Sequence, residues 1–580
     1  MARPATACNP ECGNIFDVKL GAAGKVLILI SLCSLAVAVP GEKAVRPWEP
    51  FEVEMTARTD FANAYVEASA EGGKPYVELA FVGVNGEAKG RRYAVAGFWD
   101  GGRSWKARFA PPAAGDWSYS ASSSDPGLQG VKGSFQCTAW TDAEKAANPA
   151  RHGFVRVAKH GPRAGRYFEY ADGTPFLWIA DTWWPWARKG IPFARFRQVV
   201  DDRAAKGFTV GQMNFGANNG VSLAGRTFDQ PDLEAIREVE RLILYANSKG
   251  ITLWIQAWWS AKNLDRQAGP EKMRRWWRYV VRRLAAYNVI WNVAGEYNMY
   301  DYGGLGLPFW KETGAMIRRE DPYEHAIGVH NTPPSWSAGA MGDSGQWSTG
   351  EVLHQEPWLD FNGSQPGHGK ASNEMIPQIV AADYARVPAK PMVITEAWYE
   401  FIVGSAPAAD VRFGAWSAFL SGAAGHTYGG GHQWWAYIPD PAHPGPAHLG
   451  SWPIDPRDVD TFNYPGAVSM AQMAKLLKSM EWWKLEPHPE LVSDYAARYC
   501  SAIAGNEYLV YVRWGGSLSL DVRPSSETDS FRVTWTDLTN QKEIDGGTVA
   551  GGGIRRFPAP EDYPRSPNYK DWLLRLSKSR

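Results

Sequence analysis

At 580 residues the chain is too long for one compact core, so two to four domains are expected. Its formal charge is zero, 61 basic residues against 61 acidic ones, with no basic tract, so a nucleic-acid partner has no electrostatic footprint and none is expected. The aromatic content is high (29 Trp, 24 Tyr and 23 Phe), enough to fill large β-rich cores and to leave indole shelves for sugar faces.

In chain order, the first signal is an address. Lys25 precedes "VLILISLCSLAVAVP", and "AVA" at 36–38 fits a small-residue cleavage site. Residues 1–38 therefore read as a signal peptide and the mature protein as secreted or periplasmic. The apolar run is too short for a stable membrane insertion. Cys8, Cys12 and Cys33 leave with the leader, while Cys137 and Cys500 stand alone, giving neither a disulfide framework nor a zinc spacing. No H-E-x-x-H helix occurs, so no metal and no other cofactor is expected.

Residues 41–141 have the rhythm of a β-sandwich. "PFEVEMTAR" alternates, "YVELAFVGV" is a buried-strand run, turns recur at "NGE", "WDGGRSW" and "PPAAGDW", and "GSFQCTAW" closes the segment. From 150 to 482 the texture changes to short apolar runs alternating with helical stretches. The runs are "PFLWIADTWW" (175–184), "GFTVGQMNF" (207–215), "ITLWIQAWW" (251–259) and "VIWNVAGEYN" (289–298). Four more follow: "HAIGVHN" (325–331), "WLDFNGSQPGH" (358–368), "PMVITEAWYE" (391–400) and "GHTYGGGHQWW" (425–435). Between them lie segments such as "DLEAIREVERLILYANSKG", with helical spacing and a glycine stop. Eight such units predict a (β/α)8 barrel, with a doubly wound sheet as the rival. Residues 488–580 return to short strands ("YLVYVRW", "SLSLDV", "FRVTWTDL", "DWLLRL"), a second sandwich joined through "KLEPHPE". The expected fold class is thus α/β, a TIM barrel flanked by N-terminal and C-terminal β-sandwich domains.

The ends of barrel strands are where chemistry is done. Counting the runs, Glu296 tops the fourth strand and Glu396 the seventh, so the two carboxyls are expected to meet across the mouth. Retaining hydrolysis of a glycosidic bond needs such a pair, about 5–5.5 Å apart, one protonated and one ionised. Burial and the charge of Glu396 would raise the pKa of Glu296, making it the acid until Glu396 is neutralised by the bound sugar.

These runs also carry a resemblance. "DGTPFLWIADTWW", "IWNVAGEYN", "FNGSQPGH", "ITEAWYE" and "AGHTYGGGHQWW" resemble the apiosidase-like glycoside hydrolases. "VAGFWDGGRSWKARFAPPAAGDWSY" resembles the small β domain that often precedes such barrels. The tail from "YCSAIAGNEYLVYV" to "DWLLRL" resembles a β domain that carries a collagen-binding label. The resemblance implies a (β/α)8 fold, an acid/base on strand four, a nucleophile on strand seven, and plant or algal cell-wall glycans, including pectin side chains bearing apiose, as substrates. One departure stands out: the broader group usually places Asn before the strand-four acid, where this chain has Gly295, with Asn292 and Asn298 nearby.

Asp181, at the end of strand one, is the substitute carboxylate, with a brace or hydroxyl clamp as its alternative role. Substrate contacts are expected from Asn214 after strand two, Trp258 and Trp259 after strand three, and His330 and Asn331 after strand five. Gln365 and His368 follow strand six, and His426 and Tyr428 lie in strand eight, the tyrosine as a partner for the nucleophile. Trp183, Trp184, Trp398, Trp434 and Trp435 cluster after strand ends as candidate sugar shelves, and Arg412 is a candidate contact for an acidic sugar. A "GDSG" at 342–345 lacks the fold that would make it a nucleophile loop. The expected activity is a secreted glycoside hydrolase acting on an oligo- or polysaccharide, its oligomeric state left open. A non-catalytic carbohydrate-binding protein on the same scaffold is the alternative.

Overall fold

The computed structural model describes residues 45–579 except 189, 217–227, 261, 335–344, 403–405, 432–447, 450–451, 454–460, 496 and 562–569. Each of the eight runs contains one strand of a single parallel sheet. The strands are β1 (Trp178–Thr182), β2 (Val210–Asn214), β3 (Thr252–Gln256) and β4 (Val289–Asn292), then β5 (Ile327–Gly328), β6 (Asn362–Ser364), β7 (Met392–Ile394) and β8 (Gly425–Tyr428). Their order is β5-β4-β3-β2-β1-β8-β7-β6. The remaining seam is bridged where Asp360 N–H donates to the Ile327 carbonyl (2.9 Å) and Ile327 N–H to Asp360 Oδ2 (2.7 Å). The sheet is a TIM barrel.

The register decides which side chains face in. Asp181 pairs with Gly211 and Thr182 with Gln212, and Gln212 in turn with Trp254, so one alternate set lines the lumen. Trp178, Val210, Trp254, Ile290, Phe361 and Val393 fill it as a packed core. Below it a three-stranded element closes the N-terminal end, with Phe168 packed 5.2 Å from Trp178. Outside lie the helices, among them α1 (Phe193–Ala205), α2 (Leu233–Ser248), α3 (Lys262–Leu284, broken at Gly269) and α4 (Leu307–Glu320). Asp232 caps α2 by accepting from Ala235 N–H (3.0 Å), and the helix buries Ile236, Val239, Leu242 and Ile243 at helical spacing. After β7 come α5, here Ala408–Leu420, and α6, Pro465–Lys478.

N-terminal to the barrel, a three-stranded sheet (Phe51–Thr56, Ser104–Phe109, Phe98–Trp99) faces a four-stranded one across a core that includes Leu79, Phe81, Trp105 and Trp117. This sandwich docks on the helix layer through buried charge. Arg108 donates to Glu240 of α2 (2.6 Å) and Arg283 of α3 donates to the same carboxylate, while Arg283 also pairs with Asp100 (2.8 Å). The C-terminal region has a six-stranded and a three-stranded sheet around Val510, Phe531, Trp535 and Leu574. It docks on α5, where Arg412 pairs with Asp571 (2.7 Å) and Arg513 with Asp410 (3.1 Å). Arg412 is therefore a domain-joining residue, not a sugar contact.

Candidate active site

Glu296 sits just past β4, at φ +45°, a left-handed conformation that a non-glycine side chain seldom adopts. The turn is held from both sides: Gly295 N–H donates to the Trp258 carbonyl (3.0 Å) and Tyr297 N–H to the His330 carbonyl (3.0 Å). Gly295 is dictated by packing. A Cβ there would fall 2.5 Å from Trp259 Cε3, because the indole lies flat over this backbone. From that seat Trp259 Nε1 donates to Glu296 Oε2 (3.2 Å). The departure from Asn at this position thus has a local cause.

Glu396 lies just past β7, where Thr395 N–H donates to the Ser364 carbonyl of β6 (2.8 Å). His368 Nε2 is 2.9 Å from Oε1 in hydrogen-bonding geometry. His330 Nε2 is 3.1 Å from Oε2, off the line of a straight hydrogen bond. His330 is oriented by Thr395 Oγ1, 3.0 Å from its Nδ1. The Tyr399 ring packs 4.5 Å from His368, and its hydroxyl accepts from Trp184 Nε1 (2.8 Å). Trp184 in turn meets Trp259 (5.3 Å) and His330 (5.2 Å) between ring centroids. The side chains from β1, β3 and β5 therefore form one aromatic wall that reaches from Glu296 to Glu396.

The two carboxyls are held in opposite states. Burial, then the charge of Glu396, pushes Glu296 up to about 8, against a smaller opposing pull from Trp259 and Gln365. Burial would raise Glu396 as well, but His330 and His368 outweigh it and hold it at about 2. One acid keeps its proton near neutral pH while its neighbour is ionised. An arrangement of this kind can deliver a proton and a nucleophile to one bond.

Of the expected contacts, Trp184, Trp259, His330, Gln365 and His368 gather around the pair. Three others hold backbone. Asn214 Oδ1 accepts from Gly216 N–H (2.8 Å), Asn298 Oδ1 from Thr332 N–H (2.7 Å), and Asn331 Oδ1 from Gln365 N–H (3.0 Å). Trp398 is buried with its Nε1 donating to the Ile402 carbonyl (3.2 Å).

Five expectations are corrected, those for Asp181, Trp183, His426 and Tyr428 by strand parity. Asp181 points outward, fully buried, where Arg203 of α1 (2.7 Å) and Trp183 Nε1 (3.1 Å) donate to it: it is the brace, not a second acid. Trp183 packs on Phe196 of α1, not in the mouth. Trp258 likewise faces the helix layer, its Nε1 donating to Asp265 (2.7 Å). His426 faces α5 near Gly414, and burial pushes it down to about 3. Tyr428 donates to Glu400 (2.8 Å) behind the wall, so the tyrosine beside the nucleophile is Tyr399 instead. Tyr399 was within sight of sequence reasoning, three residues after Glu396 in "ITEAWYE". Trp434 and Trp435 lie outside the described residues. Among the described residues no group of His, Cys, Asp and Glu could hold a metal ion, and no helix is long and apolar enough to cross a membrane.

A family model described as the apiosidase-like catalytic domain matches residues 162–484, and a domain of unknown function, DUF5060, matches residues 44–124. Among solved structures, one described as a glycoside hydrolase is 19% identical and covers 74% of this chain and 98% of its own, with a TM-score of 0.62. A family 5 glycoside hydrolase from Bacteroides vulgatus ATCC 8482 is also 19% identical, covering 74% and 94% of the two chains at a TM-score of 0.62. A candidate glycoside hydrolase from the same organism is 18% identical and covers 93% of this chain and 100% of its own, with a TM-score of 0.66. No curated protein matches the chain. At these identities the solved structures speak for the fold.

Proposed function

The chain belongs to the apiosidase-like family of glycosidases, and from that premise we propose that it hydrolyses O-glycosidic bonds of a cell-wall polysaccharide, or of its side chains, with retention of configuration. Glu296 gives its proton to the glycosidic oxygen as the C–O bond breaks. Glu396 attacks the anomeric carbon from the opposite face and forms a glycosyl ester. That ester removes the charge of Glu396, so the pKa of Glu296 falls and its carboxylate becomes a base. It takes a proton from water, the water attacks the anomeric carbon, and Glu396 leaves as carboxylate. Trp184 and Trp259 supply apolar ring faces beside the reacting sugar, and His368 and Tyr399 keep the nucleophile aimed.

The reading is carried by one observation: two buried glutamates just past β4 and β7 are joined by one aromatic wall, Glu296 facing the Trp259 indole (3.2 Å) and Glu396 facing His368 and His330 (2.9 and 3.1 Å). We further propose that the enzyme is exported, on the strength of the residue 1–38 pattern, which lies outside the described residues. The test is a panel of pectic, hemicellulosic and algal polysaccharides with the anomeric protons followed by NMR from the first minutes. Release of sugar with the anomeric configuration of the parent bond is the expected result. Initial appearance of the opposite anomer would remove the double displacement and leave a glycosidase that inverts.

A further inference from the structure

A second cleft, about 530 Å³, opens where the N-terminal sandwich meets the barrel, within the size range of small-molecule sites. Its floor belongs to the end of the barrel away from the acids. The loop 322–324 precedes β5, and Val155, whose carbonyl accepts from Ala326 N–H (3.3 Å), lies in the element that closes the N-terminal end. Its walls are aromatic. Trp48 packs on Phe154 (4.9 Å between centroids) and Tyr93 stacks on Tyr323 (5.9 Å). Two of its residues, Trp48 at φ 64° and Glu324 at φ 57°, are non-glycines held in the left-handed region, a strain that collects at ligand clamps. Trp48 is fixed there by its N–H donating to the Pro111 carbonyl (2.9 Å) and by seating against Gly153, where a Cβ would fall 2.8 Å from its Cε2.

The charge in this cleft is one-sided. Glu324 is balanced by Lys159 (3.2 Å) and Arg156 by Glu169 (2.9 Å). Arg91 and Arg92 are exposed at its rim, and among the described residues neither enters an ion pair. The Arg91 Nε donates only to the Glu87 carbonyl (3.2 Å). Two uncompensated guanidinium forks beside aromatic walls suit a sugar ring that carries a carboxylate: the fork takes the carboxylate in a paired hydrogen bond, and the ring face lies on indole or phenol.

We infer that this cleft is an ancillary, non-catalytic site for a uronate-bearing saccharide chain. It rests on the carbohydrate reading given above. Because it opens on the opposite end of the barrel from the acids, a strand bound there would tether the enzyme to its polymer and raise the local substrate concentration without touching the chemistry.

The test is calorimetric titration of the full-length protein with tetragalacturonate, and with mannotetraose as the neutral control, at low and moderate salt. Wild type should bind the acidic tetramer in a salt-sensitive way and the neutral one far more weakly. The Arg91→Ala/Arg92→Ala double variant should lose about tenfold or more of that affinity. Both side chains are exposed, so folding should survive, and turnover on a short soluble substrate should be unchanged. Equal affinity for the two tetramers, wild-type affinity in the double variant, or no binding by wild type at millimolar ligand would each overturn the inference. Failure of the hydrolase reading would be visible separately, as no sugar released by wild type from any polysaccharide of the panel while tetragalacturonate still binds.

Discussion

The ends of β4 and β7 form a natural comparison. Each puts one glutamate into the same water-poor, aromatic space, and burial raises both carboxyls. What differs is the company. At Glu296 a neutral indole donates at 3.2 Å, Gln365 adds a neutral pull of the same sign, and a like charge lies nearby. At Glu396 two imidazoles approach within 2.9 and 3.1 Å. Burial cannot distinguish acid from nucleophile here; the number and kind of the donors does.

The largest break in the comparison is removal of either acid. Glu396→Gln should lower kcat on the order of 10⁴-fold or more, whereas Glu296→Gln should cost about 10²–10⁴-fold, and much less on a substrate with an activated leaving group. Steady-state kinetics with a good and a poor leaving group checks the asymmetry. With Glu396 neutral, the Glu296 carboxyl should also titrate at lower pH, read by ¹³C NMR of labelled glutamate. A smaller effect is expected from His368→Ala. It removes the aligned donor, so the Glu396 pKa rises, the acid limb of kcat/KM moves upward, and activity falls about tenfold to a hundredfold. An acid limb that stays put would shift the credit to His330. The smallest is Trp259→Phe, which keeps the ring on Gly295 but loses the N–H that favours the ionised form of Glu296. The alkaline limb, near 8 in the parent, should move up, with a rate loss below about tenfold. A downward shift would contradict the donor role given to Trp259.

Much of this was legible in the sequence, and what was not has a physical reason. Every one of the eight apolar runs holds its strand because a barrel strand buried on both faces shows as a continuous apolar stretch. Glu296 and Glu396 were found by counting those runs. Failures came within one residue of success. Trp183 and Trp184 are adjacent, as are Trp258 and Trp259, yet the first of each pair faces the helices and the second the mouth. A side-chain period of two puts Trp183 and Trp184 on opposite sides of the wall, whereas Trp258, on the parity of lumen-facing Trp254, turns outward past the end of β3 at Gln256. The same parity sent Tyr428 and His426 outward and left Tyr399 as the neighbour of Glu396. Asp181 was ambiguous for a different reason: its partner Arg203 stands 22 positions away on α1, and no local pattern announces the pairing.

The junction between the N-terminal sandwich and the helix layer sets a limit on how the molecule can be cut. Glu240 receives Arg108 from one side and Arg283 from the other, all three buried. Trimming a gene to its barrel would strip away Arg108, Asp100 and Phe98 together, leaving Arg283 with Glu240 alone beside an uncovered Tyr279. An isolated catalytic fragment would therefore begin life with a wound on its flank, and evolution could have exchanged the loops at the rim far more freely than the front module.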